Sequence, residues 1–452
     1  MNVSFFQELL GRISDRGRQL LDLSFIGSSD PETVEDLCKA LISTRGEASG
    51  VAIARQILHY YDSFDEDEKT EFLRFLANEF VHHEDEIKAA ARAYIEAPSL
   101  ATLTRLNEMV EPPLQEFLRR LNRAPGATPQ LVRMREDLLE RAKSDRTLAQ
   151  ADLNFIHLFS SWFNRGFLVL ARIDWSTSAS ILEKIIKYEA VHEIKGWDDL
   201  RRRLDPNDRR CFAFFHPALV DDPLIFVEVA LEDDIPGSIQ ALLESDGRPR
   251  VEDAPPTTAV FYSISNCQAG LKGISFGNFL IKQVVEDLAR EIPSLRTFVT
   301  LSPVPGFRSW LFRALDAGQL SYLSEDQRAL LHQLKETGWA DDEKTQDEAR
   351  PIVRAAAAHY FLIEKDRNGR PIDAVARFHL GNGARLERIN WLGDVSEKGI
   401  HQSFSLMVNY RYDLRDIERN HEAYVNSGVV AASKAVRGLL MTSSKALVPA
   451  GD

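Results

Sequence analysis

With 452 residues the chain is too long for one hydrophobic core, since single cores stop growing at about 250–300 residues, so two domains are expected. Hydrophobic residues make up 44% and charged residues 27%, a composition that can bury substantial cores and excludes a disordered polymer. The net charge of −13 excludes broad binding to nucleic acid, which depends on Lys and Arg neutralising phosphates; a phosphate-bearing ligand would need a local cluster of basic side chains and backbone N–H donors.

The chain opens MNVSFFQELLGRISDRGRQLL, with apolar residues at helical spacing among charges and without the continuous apolar run of a signal peptide. No segment approaches the roughly 18 apolar residues that suggest a membrane span, so no membrane is expected as a partner. The chain ends ALVPAGD, without a Ser-Lys-Leu peroxisomal address. Cys38, Cys211 and Cys267 are too few and too scattered for a zinc site or a disulfide framework. A reduced, cytoplasmic location is expected.

The first third is predicted to be helix after helix. Val51, Ala54, Ile57, Leu58 and Tyr61 share one helical face, and Leu103, Leu106, Met109 and Val110 repeat the pattern after a start at Ser99. Pro112 and Pro113 break that helix. Leu114, Phe117, Leu118 and Leu121 begin the next, APGATP (124–129) is a loop, and Leu131, Met134, Leu138 and Leu139 resume the period. His82 and His83 lack zinc-ligand spacing and imply no metal.

From Gly166 the texture changes to short strand-like runs, GFLVLARI, RCFAFFHP, PLIFVEVAL, AVFYSI and RTFVTL, with helices predicted at 178–190 and 278–292. The fold class is therefore α+β: an all-helical domain over 1–164, then a mixed α/β domain over 165–452. Asp341–Glu348 (DDEKTQDE) is expected to be a solvated loop.

Four stretches carry chemistry. In AVFYSISNCQAGLKGISFGNFLIKQVVEDL a strand leads into a loop with Gly270, Gly273 and Gly277, then into an amphipathic helix; glycines allow close backbone approach, and a helix N-terminus offers free N–H groups to an anion. In TLSPVPGF, Ser302 ends an apolar strand and precedes two prolines that stiffen the chain, without the G-x-S-x-G elbow of a hydrolase. In RFHLGNGA, His379 stands in what reads as an apolar strand, with Asn382 and Gly383 as an N-G turn after it. In MVNYRYDL, alternation puts Asn409, Arg411 and Asp413 on one side of a strand and Tyr410 and Tyr412 on the other.

In this order, FYSI, GNFLIK, LSPVPGF, HLGNGA, RINWLGDVSEKGI and LMVNYRY closely resemble the catalytic half of the malonyl-CoA decarboxylase family. The resemblance runs from about Gly166 to Ala435 and, over the helical part, rests on architecture and the WFNRGFL junction at 162–168. It implies a GNAT-like catalytic domain, whose strand, Gly-rich loop and helix grip acyl-CoA, and conversion of malonyl-CoA to acetyl-CoA and CO2.

Under the resemblance, the malonyl-CoA-binding segment falls on Lys272, Gly273, Ile274, Ser275, Phe276, Gly277 and Asn278. Ser302 aligns with the family's catalytic serine, His379 with its proton donor, and Tyr412 with a tyrosine near the substrate. Animal members carry an acidic residue where this chain has Ser275, so no role for that carboxylate is carried over. No separate cofactor is implied, because coenzyme A is part of the substrate and the thioester is its own electron sink. The family's helical domain mediates self-association, which implies a homo-oligomer, with a tetramer expected. A GNAT-type acyltransferase and a catalytically silent acyl-CoA sensor are the alternative readings of the Gly-rich loop.

Overall fold

The computed structural model describes residues 33–43, 46–81, 84–244, 255–274, 280–335 and 337–440. Up to Trp162 the described chain is helical: α1 (Val34–Ser43), α2 (Glu47–Ser63), α3 (Glu66–Glu79), α4 (Glu84–Glu96), α5 (Leu100–Val110), α6 (Pro113–Leu121), α7 (Ala127–Arg141) and α8 (Arg146–Trp162). The boundaries follow local chemistry. Asp65 caps α3 through Asp67 and Glu68 N–H groups, Ser99 caps α5 as expected, and Pro113 stands at the start of α6, where its missing N–H is not needed.

Ala54, Ile57, Leu58 and Tyr61 of α2, and Leu114, Phe117, Leu118 and Leu121 of α6, are buried as their spacing predicts. The face expected on α5 behaves differently: none of its residues is buried, and Leu103 and Val110 are exposed, as are Ile95 on α4 and Leu100. The α4–α5 hairpin thus leaves apolar side chains in solvent. His82 and His83 lie outside the described residues.

The remainder mixes strands and helices: β1 (Val169–Ile173), α9 (Ala179–Tyr188), α10 (Trp197–Leu204), β2 (Arg209–Phe215), β3 (Pro223–Glu232), α11 (Ile239–Leu243), β4 (Thr258–Asn266), α12 (Leu280–Glu291), β5 (Thr297–Thr300), β6 (Ser302–Pro303), α13 (Phe307–Asp316), α14 (Glu325–Gln333), α15 (Glu343–Leu362), α16 (Ala374–Gly381), β7 (Arg385–Asn390), α17 (Glu397–Ser403), β8 (Met407–Arg411), α18 (Ile417–Ser427) and α19 (Lys434–Gly438). The expected α+β class is what the chain adopts. The run Asp341–Glu348 is solvated but is not a loop: Asp342 accepts from the Thr345 N–H, and Glu343 opens the 20-residue α15. Acidic side chains suit that first turn, where the N–H groups lack partners.

The described strands form one sheet in the order β1-β2-β3-β4-β5-β8-β6, with β7 also on β8. β3 and β4 are antiparallel with a bulge at Glu228/Val229, β4 and β5 are parallel, and β8 runs antiparallel to β5, β6 and β7. Alternation sends Val260, Tyr262, Val299 and Met407 into a buried cluster with Ala230, Ile239, Leu242 and Leu301. The opposite face carries Phe261, Thr300, Tyr410 and Tyr412. No described helix is long and apolar enough to cross a membrane.

By contacts the chain forms two compact units. One comprises the chain up to Val169 with Phe215–Asp222 and Gln268–Phe276; the other comprises Leu170–Phe214, Pro223–Cys267 and the chain from Gly277 onward.

Candidate active site

Ser302 is fixed by its backbone. The strand β5 ends at Thr300, Leu301 is buried, and Ser302 then pairs with Val408 of β8 while Pro303 pairs with Met407. A residue that precedes proline is confined to extended geometry, so strand pairing and Pro303 agree on one direction for the side chain. Its hydroxyl donates to Thr300 Oγ1 at 2.9 Å and lies 3.1 Å from His379 Nε2.

His379 stands on a helix, not on the strand that its apolar neighbours suggest. Asp373 caps α16 by accepting from the Ala376 N–H at 2.7 Å, and Ala376, His379 and Leu380 are the buried positions, spaced three and four apart. Asn382 and Gly383 end the helix rather than turning a hairpin. Gly383 has φ +80°, and a Cβ there would stand 2.1 Å from the Ile417 carbonyl oxygen, so glycine is required twice over.

The second ring nitrogen, Nδ1, is 2.8 Å from the Tyr412 hydroxyl, and the Tyr410 ring is stacked on the imidazole. Alternation on β8 puts both tyrosines on the face toward α16, as the sequence predicts. Ser302, His379, Tyr410 and Tyr412 are all buried. Burial removes water from the charged imidazolium and pulls the His379 pKa from 6.5 down to about 3, so the ring is neutral at pH 7. The same loss of water pushes the Tyr410 and Tyr412 hydroxyls well above the usual phenol range. The centre therefore consists of hydroxyls and an uncharged imidazole.

A second layer braces it. Asn409 Nδ2 donates to the Thr300 carbonyl at 2.8 Å, and Asn409 Oδ1 accepts from Asn390 Nδ2 at 2.8 Å and Arg388 Nε at 3.1 Å. Thr300 Oγ1 accepts from the Tyr410 N–H at 3.1 Å. Asp373 also accepts from the Tyr360 hydroxyl at 3.3 Å, and burial raises its pKa. Thr300 and Asp373 were not singled out from sequence, and Tyr410 only by its side of the strand. An Asp three residues before Ala376 and an Asn-Gly at the far end were the available signals for the helix; for Thr300, which lies inside the TLSPVPGF motif, there was none beyond proximity to Ser302.

The Gly-rich loop divides by position. Gly270 is pressed on helix α7: a Cβ there would stand 1.9 Å from the Val132 carbonyl oxygen, and the Gly270 carbonyl accepts from Arg135 Nη1 at 2.7 Å. Arg135 is itself buried and paired with Asp152 at 2.7 Å. The close backbone approach expected of Gly270 is therefore made to a helix. Lys272 and Gly273 are exposed, Gly273 with φ +81°, and Ile274 is buried. Ser275, Phe276, Gly277 and Asn278 lie outside the described residues.

Comparison with known proteins covers most of the chain. The family model described as "Malonyl-CoA decarboxylase C-terminal domain" matches residues 166–448, and "Malonyl-CoA decarboxylase N-terminal domain" matches residues 80–163. The chain is 37% identical over 355 residues to "Malonyl-CoA decarboxylase, mitochondrial" of Anser anser anser, covering 74% of this chain and 70% of that protein. The crystal structure of malonyl-CoA decarboxylase from Rhodopseudomonas palustris superposes with a TM-score of 0.85 at 54% identity, covering 91% of this chain and all of that one. The Agrobacterium vitis structure gives 0.84 at 55%, covering 90% and 99%. This chain belongs to the malonyl-CoA decarboxylase family.

Proposed function

We propose that the protein converts malonyl-CoA to acetyl-CoA and CO2, with Ser302 and His379 acting as one unit. The observation that carries this reading is the buried 3.1 Å contact between Ser302 Oγ and His379 Nε2, held from the far side by Tyr412. When the terminal carboxylate leaves as CO2, the electrons of the broken C–C bond move into the thioester carbonyl to give an enolate. The protein must stabilise that oxygen and deliver one proton to carbon, so each turnover takes up one proton from water. The Ser302–His379 pair handles the carboxylate and the proton, and His379 gives that proton to carbon. Donors aimed at developing charge contribute about 3–4 kcal/mol each in a water-free site.

The family resemblance places coenzyme A on the loop Lys272–Asn278. Exposure of Lys272 and Gly273 supports that assignment, since phosphates need accessible N–H and ammonium donors. No cofactor is required. Self-association, with the expected tetramer, is supported by the apolar side chains uncovered on the α4–α5 hairpin. The cytoplasmic location belongs to the same proposal.

Incubation of the purified protein with malonyl-CoA alone tests the reading. Release of CO2 and acetyl-CoA is expected. Acyl transfer only on addition of an amine would indicate an acyltransferase, and binding without turnover a sensor; either would sink the proposal. Light scattering at several concentrations reads the oligomer, and a monomer throughout would remove the tetramer.

A further inference from the structure

Four side chains in the buried centre form one continuous run of hydrogen bonds: Thr300, Ser302, His379 and Tyr412. Such a run has a direction, because each hydroxyl and a neutral imidazole carry a single transferable hydrogen. The direction is set at its Thr300 end. Thr300 Oγ1 accepts twice, from the Tyr410 backbone N–H at 3.1 Å and from the Ser302 hydroxyl at 2.9 Å. Ser302 has then used its only hydrogen and meets His379 Nε2 with a lone pair. The hydrogen in that contact must belong to Nε2, and Nδ1, left without one, accepts from Tyr412.

We propose that Thr300 is a positioning residue of the reaction: by accepting the Ser302 hydroxyl hydrogen it turns a serine lone pair toward His379 and so keeps the transferable proton on Nε2. This rests on the decarboxylase reading above. The hydroxyl of Thr300 touches neither the imidazole nor, in that reading, the reacting carbon. It acts through Ser302.

The consequence for the step is specific. With the hydrogen on Nε2, the ring donates from the nitrogen that faces Ser302. As that proton passes to the enolate carbon, Nδ1 takes the Tyr412 hydroxyl proton; water then reprotonates Nε2, the Nδ1 proton returns to Tyr412, and the starting tautomer is regained. Over the cycle the ring and Tyr412 are unchanged: the C–C bond to the carboxylate breaks, one C–H bond forms, and one proton is drawn from solvent, as the overall reaction requires. With the run reversed, the hydrogen would sit on Nδ1, and Nε2 would have nothing to give.

Thr300→Val retains shape and removes both acceptances, whereas Thr300→Ser retains both. Nitrogen-15 NMR of the His379 ring, assigned by the signals lost in His379→Asn, reads the tautomer without substrate. Wild-type protein should show the proton on Nε2, Thr300→Val should shift it wholly or partly to Nδ1, and Thr300→Ser should restore it. In malonyl-CoA turnover, Thr300→Val should lower kcat by about 10–100-fold with KM nearly unchanged, and Thr300→Ser should recover it.

Two results would overturn the assignment: a wild-type ring protonated on Nδ1, or a Thr300→Val protein that melts earlier yet keeps its tautomer and kcat. If Thr300→Val does not fold, the wild-type tautomer decides alone. Lack of CO2 release by wild-type protein would remove the decarboxylase reading, while the ring measurement judges Thr300 independently.

Discussion

The ring of Tyr410 lies against the imidazole of His379, with centroids 4.5 Å apart and planes inclined by 24°. One face of the imidazole is thereby closed to water. Replacing Tyr410 by Leu leaves apolar bulk but a poorer cover. We expect a loss of roughly 1–3 kcal/mol in stability from the altered packing, and a His379 pKa that climbs from about 3 toward 6.5 as water reaches the ring. An NMR titration that finds the pKa unmoved would show that the stack is not what keeps the ring dry.

Ser302→Ala and His379→Asn should each lower the decarboxylation rate by roughly 10²–10⁴, with folding intact. Their double variant should lose far less than the product of the two, because groups that act as one unit are strongly non-additive. Multiplicative losses in steady-state kinetics would mean that the two residues work separately.

Acid sensitivity should trace partly to His379. Its folded pKa of about 3 lies below the ordinary 6.5, so between those values the unfolded chain binds a proton that the folded one refuses. The stability is fully present above about pH 6.5 and is lost as the pH falls toward 3. His192, lowered to about 4 chiefly by burial, adds in the same direction. In urea titrations at pH 7.5 and 5, wild-type protein should lose more stability than His379→Asn, by on the order of 1–2 kcal/mol. Equal losses would argue against a neutral buried ring.

Gly270 and Gly273, in the Gly-rich loop proposed for coenzyme A, should separate folding from binding. Gly270→Ala places a methyl 1.9 Å from the Val132 carbonyl oxygen, so it should destabilise by at least the 1–3 kcal/mol of ordinary overpacking, read as a lowered Tm. At Gly273 a Cβ meets nothing within 4 Å, but φ is +81°. Gly273→Ala should strain the loop by about 1–2 kcal/mol and weaken coenzyme A binding in calorimetry, while Ser302→Ala leaves that affinity unchanged. Undiminished affinity in Gly273→Ala would move the nucleotide site elsewhere.

What the sequence showed and what it hid divide along physical lines. The helix from Pro113 and the two faces of β8 were legible, because a proline start and a two-residue alternation are local signals that tertiary packing reinforced. His379 was misassigned because α16 has only eight residues, and VARFHLG satisfies an apolar strand as well as it does a short buried helix. Asp341–Glu348 looked like a loop because acidic side chains serve solvent and a helix start equally well. The apolar period of α5 was read correctly, yet spacing does not say what a face packs against. Thr300 was out of reach for a different reason: its role arises from hydrogen bonds to a serine two residues on and to a strand more than a hundred residues away.

His379 is tied at both nitrogens, so its ring cannot turn about the Cβ–Cγ bond without breaking two hydrogen bonds at once. The enolate of the proposed reaction is planar, and the methyl group formed from it acquires its third hydrogen from one side. A proton source fixed in orientation makes that side the same in every turnover. Malonyl-CoA carrying two hydrogen isotopes in one configuration at its central carbon, decarboxylated in water of the third, should therefore give acetyl-CoA whose methyl group is chiral and of a single hand.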